Sequence, residues 1–291
     1  MRGCTSRLEA IAVHIASPAS ASADVRVSTD PLTAADLPSL IKTTDAVFRR
    51  VAPKSMQTDY PRVYAEGNLR RVHAVRAPDG GVAAVCPWYR WEAELPSGAG
   101  FSVGVISPTA TDPAHRGRGL SLACQRGCVA QMEDPGPEGA DLAVLWTTLS
   151  TFRLYQQAGF QAVQGCAPQY PLWPSDAGLF LDWPGPPGRV GLHNPRAAGA
   201  LSPHEAALHA LHGADAAGMR FVRSEEDTRQ IHSLPGMCTL LWWGAVNFNT
   251  PAAYLVISAA SNRAGILEGG GSRKGLRALV HHALVHWVRA L

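Results

Sequence analysis

Asp112-Pro113-Ala114-His115-Arg116-Gly117-Arg118-Gly119 is the segment whose residue types most clearly point to chemistry, because an apolar run precedes it and a helical pattern follows. A strand, a glycine-rich turn and a helix in that order present consecutive backbone N–H groups at a positively polarised helix terminus, which favours a phosphate or pyrophosphate. Gly117-Arg118-Gly119-Leu120-Ser121-Leu122 begins like a dinucleotide fingerprint. However, Leu122 stands where the third glycine belongs, and the preceding strand lies in a meander instead of opening a βαβ unit. GGGSRKG at 269–275 lacks the glycine spacing of a P-loop and has no Ser or Thr after Lys274. Neither of those two nucleotide sites is therefore expected.

Other candidates carry less. Cys124 and Cys128 are one helical turn apart, but no nearby His or acidic residue completes a metal set, so core packing is expected and no metal site is predicted. Three residues separate Glu205 from His209, which breaks the His-Glu-x-x-His pattern, and His204, His209 and His212 are expected on a solvated helix face.

The run TDPAHRGRGLSL followed by a helix resembles the acyl-CoA signature of the GNAT-type N-acetyltransferase superfamily, whose pattern is Gln/Arg-x-x-Gly-x-Gly/Ala. Here the pattern falls on Arg116, Gly119 and Ser121, and the serine in the last place is still small enough for close backbone approach. A second family element, a short helix ending in Tyr-x-x-x-Gly-Phe after a buried strand, is matched by FRLYQQAGF with Tyr155, Gly159 and Phe160. The resemblance covers about residues 25–172.

That resemblance implies an acetyl-CoA-dependent N-acetyltransferase whose acceptor is an amine, on a small molecule or a protein. It implies that the amides of Arg116, Gly117, Arg118, Gly119, Leu120 and Ser121 cradle the CoA pyrophosphate. Thr109, Ala110 and Thr111, on the preceding strand, would pair with the pantetheine arm. Tyr155 would be the acid: a phenol with a reference pKa of about 10 is protonated at neutral pH and can supply a proton to the departing thiolate. Glu92 and Glu94 on the strand WYRWEAEL are the candidates to take the amine proton, against a plain solvated strand face. Trp88, Tyr89 and Trp91 alternate on that strand, so some rings are expected in the core and at least one towards the acceptor. Thr148 stands where many relatives carry Asn, and with no obvious base this leaves a second reading open, a CoA-binding sensor or scaffold that has lost turnover.

These residues need a scaffold, and the pattern supplies one. Strands are predicted at VRVST (25–29), RRVHAVRAP, GVAAVCPWYRWEAEL, FSVGVISPTAT, DLAVLWTT and FQAVQGCAPQYPLW, with Pro78-Asp79-Gly80-Gly81 as a hairpin turn. Helices are predicted at LTAADLPSLIKTTDAVFRR with Thr33 as N-cap, at LSLACQRGCVAQM, and at STFRLYQQAGF closed by Gly159. The fold class expected is α/β of the α+β type: a GNAT-like mixed, mostly antiparallel sheet flanked by helices, splayed beside the CoA strand, plus a smaller degenerate α/β C-terminal domain.

The domain plan is a disordered lead-in at 1–24, a GNAT domain at 25–174, a Pro/Gly-rich linker at 175–200 and a degenerate GNAT-like domain at 201–291. The last rests on AAYLVIS, AGILEGGGS and a terminal amphipathic helix, without a second Gly-rich signature. Of 291 residues 46% are hydrophobic and 17% charged, too apolar for a disordered chain. With 26 basic and 23 acidic side chains the net charge is +3, too small to advertise nucleic acid or an anionic membrane as partner. Six cysteines without a Cys-x-x-Cys suggest a reducing, cytoplasmic setting. Glu9 and His14 interrupt the apolar centre that a secretory signal would need.

Overall fold

The computed structural model describes residues 9–15, 32–49, 55–163, 188–193, 202–214, 220–234, 237–244, 249–258 and 265–286, with backbone only at 9–15, 148, 149, 284 and 286. It divides into two compact units: Met1–Ala93 with Gly100–Gln169, and Glu94–Ala99 with Tyr170–Leu291.

The first unit contains β1 (Glu9–Ile15), α1 (Leu37–Phe48), α2 (Met56–Asp59), β2 (Val72–Arg76), β3 (Val82–Glu94), β4 (Gly100–Ile106), β5 (Ala110–Thr111), α3 (Leu120–Met132), β6 (Leu142–Thr148), α4 (Leu149–Gln156) and β7 (Gln161–Ala162). Its sheet runs β2-β3-β4-β6-β1-β7, with β5 on β3. β4 and β6 are parallel, while β1–β6, β1–β7, β2–β3 and β3–β5 are antiparallel, so the expected mixed, mostly antiparallel sheet is present.

Both faces are covered. Ala84, Cys86 and Trp88 of β3, Ile106 of β4 and Leu145 of β6 pack under Cys124, Cys128 and Met132 of α3. On the other face, Val85 and Ala110 pack with Leu40 of α1 and with Met56, Val63 and Tyr64. The alternation of β3 side chains between these two cores is the period-2 rule of a strand buried on both sides. Gln131 fixes α3 over the sheet. Its Oε1 accepts from Trp88 Nε1 at 2.8 Å and meets His73 Nε2 at 2.9 Å, while its Nε2 donates to the Arg70 carbonyl at 3.1 Å.

Some boundaries differ from expectation. Thr33 opens a short 3-10 turn, Ala34–Asp36, through a reciprocal pair with Asp36, and α1 starts only at Leu37. Within the predicted disordered lead-in, Glu9–Ile15 forms a strand against β6. The β-branched Ile11, Val13 and Ile15 recur with strand period there. The predicted strand at 25–29 lies outside the described residues, as does most of FQAVQGCAPQYPLW beyond β7.

The second unit contains β8 (Gly188–Leu192), α5 (Pro203–Ala214), β9 (Arg220–Phe221), α6 (Glu225–Ser233), β10 (Met237–Gly244), β11 (Ala253–Ser258), β12 (Gly265–Gly271) and α7 (Arg273–His286). β8 falls inside the predicted linker. An antiparallel sheet, β12-β11-β10-β8, carries α7 over Leu240, Trp242 and Leu255, and α5 over Leu241, Trp243 and Tyr254. Trp242 and Trp243 thus fill the two faces of the unit's own sheet.

Under α5 lies a buried polar cluster. His232 meets Thr239 at 2.9 Å, Tyr254 Oη donates to Glu268 at 2.5 Å, and His193 and Glu205 are both enclosed with 3.9 Å between Nε2 and Oε1. The histidines expected on a solvated face are half-buried and partnered instead: His209 with Thr228 at 2.9 Å, and His212 with the Phe221 carbonyl at 2.9 Å. Burial would raise the Glu268 carboxyl, but hydrogen bonds and charge from Arg223 outweigh it and hold it at about 2. Burial pushes His232 down to about 4 and lowers His193 and His212 as well.

A group held neutral with a lowered pKa stabilises the fold fully above its unfolded pKa, near 6.5, and loses that contribution as pH falls towards the folded value. His232 alone then accounts for about 3 kcal/mol lost between about pH 6.5 and pH 4. Denaturant unfolding of the full chain, followed by tryptophan fluorescence, is expected to show the second unit weakening steeply over that window, and less steeply in His232→Phe. Equal stability at about pH 7 and about pH 5 would contradict the placement of these histidines.

Candidate active site

The sheet opens where β4 ends. β4 pairs with β6 at Val103↔Leu142, Gly104↔Ala143 and Val105↔Val144. After Ile106 the chain breaks from that register, and β5 joins β3 through Ala84↔Thr111 and Val85↔Ala110. β6 instead continues to Thr148 against β1. Beyond Val144 the two strands therefore part, and among the described residues no strand pairs with the second edge of β5. A wedge of this kind offers main-chain groups to an extended ligand in the way a sheet edge does.

The glycine-rich turn stands at the end of β5. Asp112 Oδ1 accepts from the Ala114 N–H at 2.8 Å and caps a short 3-10 turn, Pro113–His115. Gly117 and Gly119 then take φ of +77° and +72°, a left-handed conformation that residues with a Cβ rarely adopt, and Gly119 is the N-cap of α3. The space where a Cβ would sit is open at both glycines. The first N–H groups of α3 have no intrahelical acceptor and point out of its terminus. Arg116 and Arg118 are exposed, and Arg116 Nε reaches back to the Thr111 carbonyl at 3.3 Å. Ser121, at the second helical position, accepts from Gln125 Nε2 at 3.1 Å. Donor-rich backbone, open glycines and two cations form a cradle that suits a pyrophosphate.

Tyr155 is set by the end of α4. Gly159, at φ +92°, lets the Phe160 N–H return to the Tyr155 carbonyl at 3.1 Å, closing the helix in a left-handed cap. The Tyr155 and Phe160 rings meet edge to face at 6.2 Å. The Tyr-x-x-x-Gly-Phe spacing thus has a physical reason, since carbonyl, glycine and ring contact all orient the phenol. Tyr155 is half-buried; burial pushes its hydroxyl up to about 12, and the Thr109 side chain beside it works the other way. Thr109 Oγ1 also lies 3.4 Å from Cys86 Sγ. Residues 46 apart in sequence, one on the strand side of the wedge and one on the helix, are joined here.

Residues 28–163 match the family model described as an acetyltransferase (GNAT) domain. This chain carries a GNAT acetyltransferase domain. The GCN5-related N-acetyltransferase from Anabaena variabilis superposes with a TM-score of 0.60 at 13% identity, covering 90% of this chain and 63% of that one. The Kribbella flavida GCN5-related N-acetyltransferase gives 0.56 at 16% identity, with 88% and 60% covered. Eis1 from Mycobacterium abscessus gives 0.50 at 15%, with 89% and 63% covered. At these identities the likeness establishes the fold, and the chain spans about three-fifths of each of these proteins. A search of curated proteins finds no match. The family chemistry is acetyl transfer.

All ten predicted GNAT site residues are described. The structure brings Thr109 to Tyr155 and Arg116 to Thr111. The two predicted proton acceptors are engaged elsewhere: Glu92 pairs with Arg90 at 3.0 Å and Glu94 with Arg220 at 2.9 Å. Trp88 is core, while Trp91 lies under the Arg62 guanidinium at 4.3 Å. The Thr148 side chain lies outside the described residues. Gln125 was missed, although its i, i+4 spacing from Ser121 could have found it. Among the described residues no cluster of metal ligands occurs and no helix is long and apolar enough to cross a membrane.

Proposed function

We propose that the chain transfers the acetyl group of acetyl-CoA to a primary amine by direct attack. The observation that carries this reading is the conjunction of the Gly117/Gly119 turn with Tyr155 set beside the Thr109 side chain. Backbone amides of residues 116–121 hold the pyrophosphate, with Arg116 and Arg118 adding charge. Main-chain groups of Thr109, Ala110 and Thr111 pair with the pantetheine arm and place the thioester beside Tyr155.

The amine nitrogen attacks the thioester carbonyl, forming the C–N bond, and a strand N–H stabilises the oxygen as it gains charge. The C–S bond breaks, Tyr155 gives its proton to the sulfur and recovers one from solvent, and the proton lost by the amine passes to water. With its pKa raised, the phenol stays protonated until the thiolate forms.

Residues 25–174 are read as the catalytic domain and 201–291 as a degenerate GNAT-like partner, supported by the β10-β11-β12-α7 succession without a Gly-rich signature. The engagement of Glu92 and Glu94 in ion pairs favours a second reading, a CoA-binding sensor without turnover. Release of free CoA thiol from acetyl-CoA, measured across a panel of primary amines, separates the two. Amine-dependent release is expected. Binding of acetyl-CoA with no release from any amine supports the sensor.

A further inference from the structure

Ser121 occupies the last place of the acyl-CoA signature, where the family pattern has Gly or Ala, and so brings a hydroxyl into the turn. A hydroxyl has one proton and two lone pairs. Gln125 Nε2, one helical turn on, donates to one of those lone pairs at 3.1 Å, so the Ser121 proton is directed away from Gln125. Gln125 itself is completely buried, and its Oε1 has no hydrogen-bond partner. An orphaned acceptor is an unfavourable thing to bury, and an apolar side chain of similar size would avoid it. What the amide does achieve is to hold Ser121 in one orientation at the mouth of α3.

We propose that Ser121 donates its hydroxyl proton to a phosphate oxygen of CoA, and that Gln125 is the positioning residue that aims it. The inference rests on the acetyl-CoA reading above and adds a side-chain donor to what is otherwise a main-chain cradle. Hydrogen bonds to ionised oxygens are the strong ones, so the loss of this one is visible in affinity.

The test is titration of the full chain with CoA and with pantetheine, which lacks the phosphates. Ser121→Ala is expected to weaken CoA about tenfold and leave pantetheine unchanged. Ser121→Thr, which keeps the hydroxyl, restores most of the affinity. Gln125→Leu is expected to weaken CoA about threefold, and adding it to Ser121→Ala to cost nothing more, because the two act through one bond. Ser121→Ala within about twofold of wild type overturns the role. So does equal weakening of pantetheine, tighter CoA binding by Gln125→Leu, or independent addition of the two substitutions. If Gln125→Leu fails to fold, the Ser121 variants decide alone. A wild-type chain that binds no CoA overturns the acetyl-CoA reading itself, and this role with it.

Discussion

Gly119→Val is expected to weaken acetyl-CoA binding by at least about 100-fold while leaving a folded protein. Gly119 sits at φ +72° and ψ 5°, where a β-branched residue is strained by about 1–2 kcal/mol. The turn relieves that strain by moving to negative φ, which rotates the N–H groups of 119–121 off a common target. Each hydrogen bond to a charged oxygen is worth about 1.5–3 kcal/mol, so losing two corresponds to at least about 3 kcal/mol, or more than 100-fold in affinity. Nothing lies within 4 Å of the added Cβ, so core disruption is not the cause. Gly80→Val is the matched control. Its φ is +84° and its Cβ space is equally open, but it lies in the β2–β3 hairpin turn. It should cost similar stability and leave the Kd within about twofold. Equal loss of binding in both variants would mean that affinity tracks stability and not the turn.

Tyr155→Phe is expected to lower kcat by about 100-fold or more, the usual scale for removing a positioned proton donor. The ring contact with Phe160 and the helix cap survive the change, because neither uses the hydroxyl. The Kd for acetyl-CoA should stay within about threefold, which separates loss of chemistry from loss of structure. Thr109→Val is a useful companion: it keeps the acid but removes the hydroxyl beside it and should lower kcat less. A Tyr155→Phe enzyme with kcat within about threefold of wild type would reduce Tyr155 to a packing residue.

The parts of this site carried by local rules were legible in the sequence. α3 spans the predicted LSLACQRGCVAQM because the glycine turn starts it and Leu120, Cys124, Cys128 and Met132 share one face. α4 was legible through its stop, since Gly159 alone permits the left-handed cap. The contacts that give these residues a common purpose were not legible, because they join segments far apart in sequence: Thr109 to Tyr155, and Gln131 to both His73 and Trp88. Two strands were hidden by composition. The Ile11, Val13 and Ile15 period sits in an Ala/Ser-rich lead-in, and β8 follows a Pro/Gly run that reads as linker. α6 gives little periodic signal because SEEDTRQIHS has few apolar residues; what starts it is the Ser224–Asp227 capping box. Histidines of α5 looked solvated because their partners come from other elements, Thr228 on α6 and the Phe221 carbonyl on β9.

The most direct test of the central claim is the thermal unfolding midpoint of the full chain with and without acetyl-CoA, because a ligand that binds only the folded state must raise it. At about 100 times its Kd, acetyl-CoA should stabilise the protein by about 2.7 kcal/mol, a shift of several degrees that Gly119→Val lacks and Gly80→Val retains. An unchanged midpoint at saturating acetyl-CoA, CoA and longer acyl-CoA would contradict the account, leaving the turn at 116–121 without the ligand its geometry was read to hold.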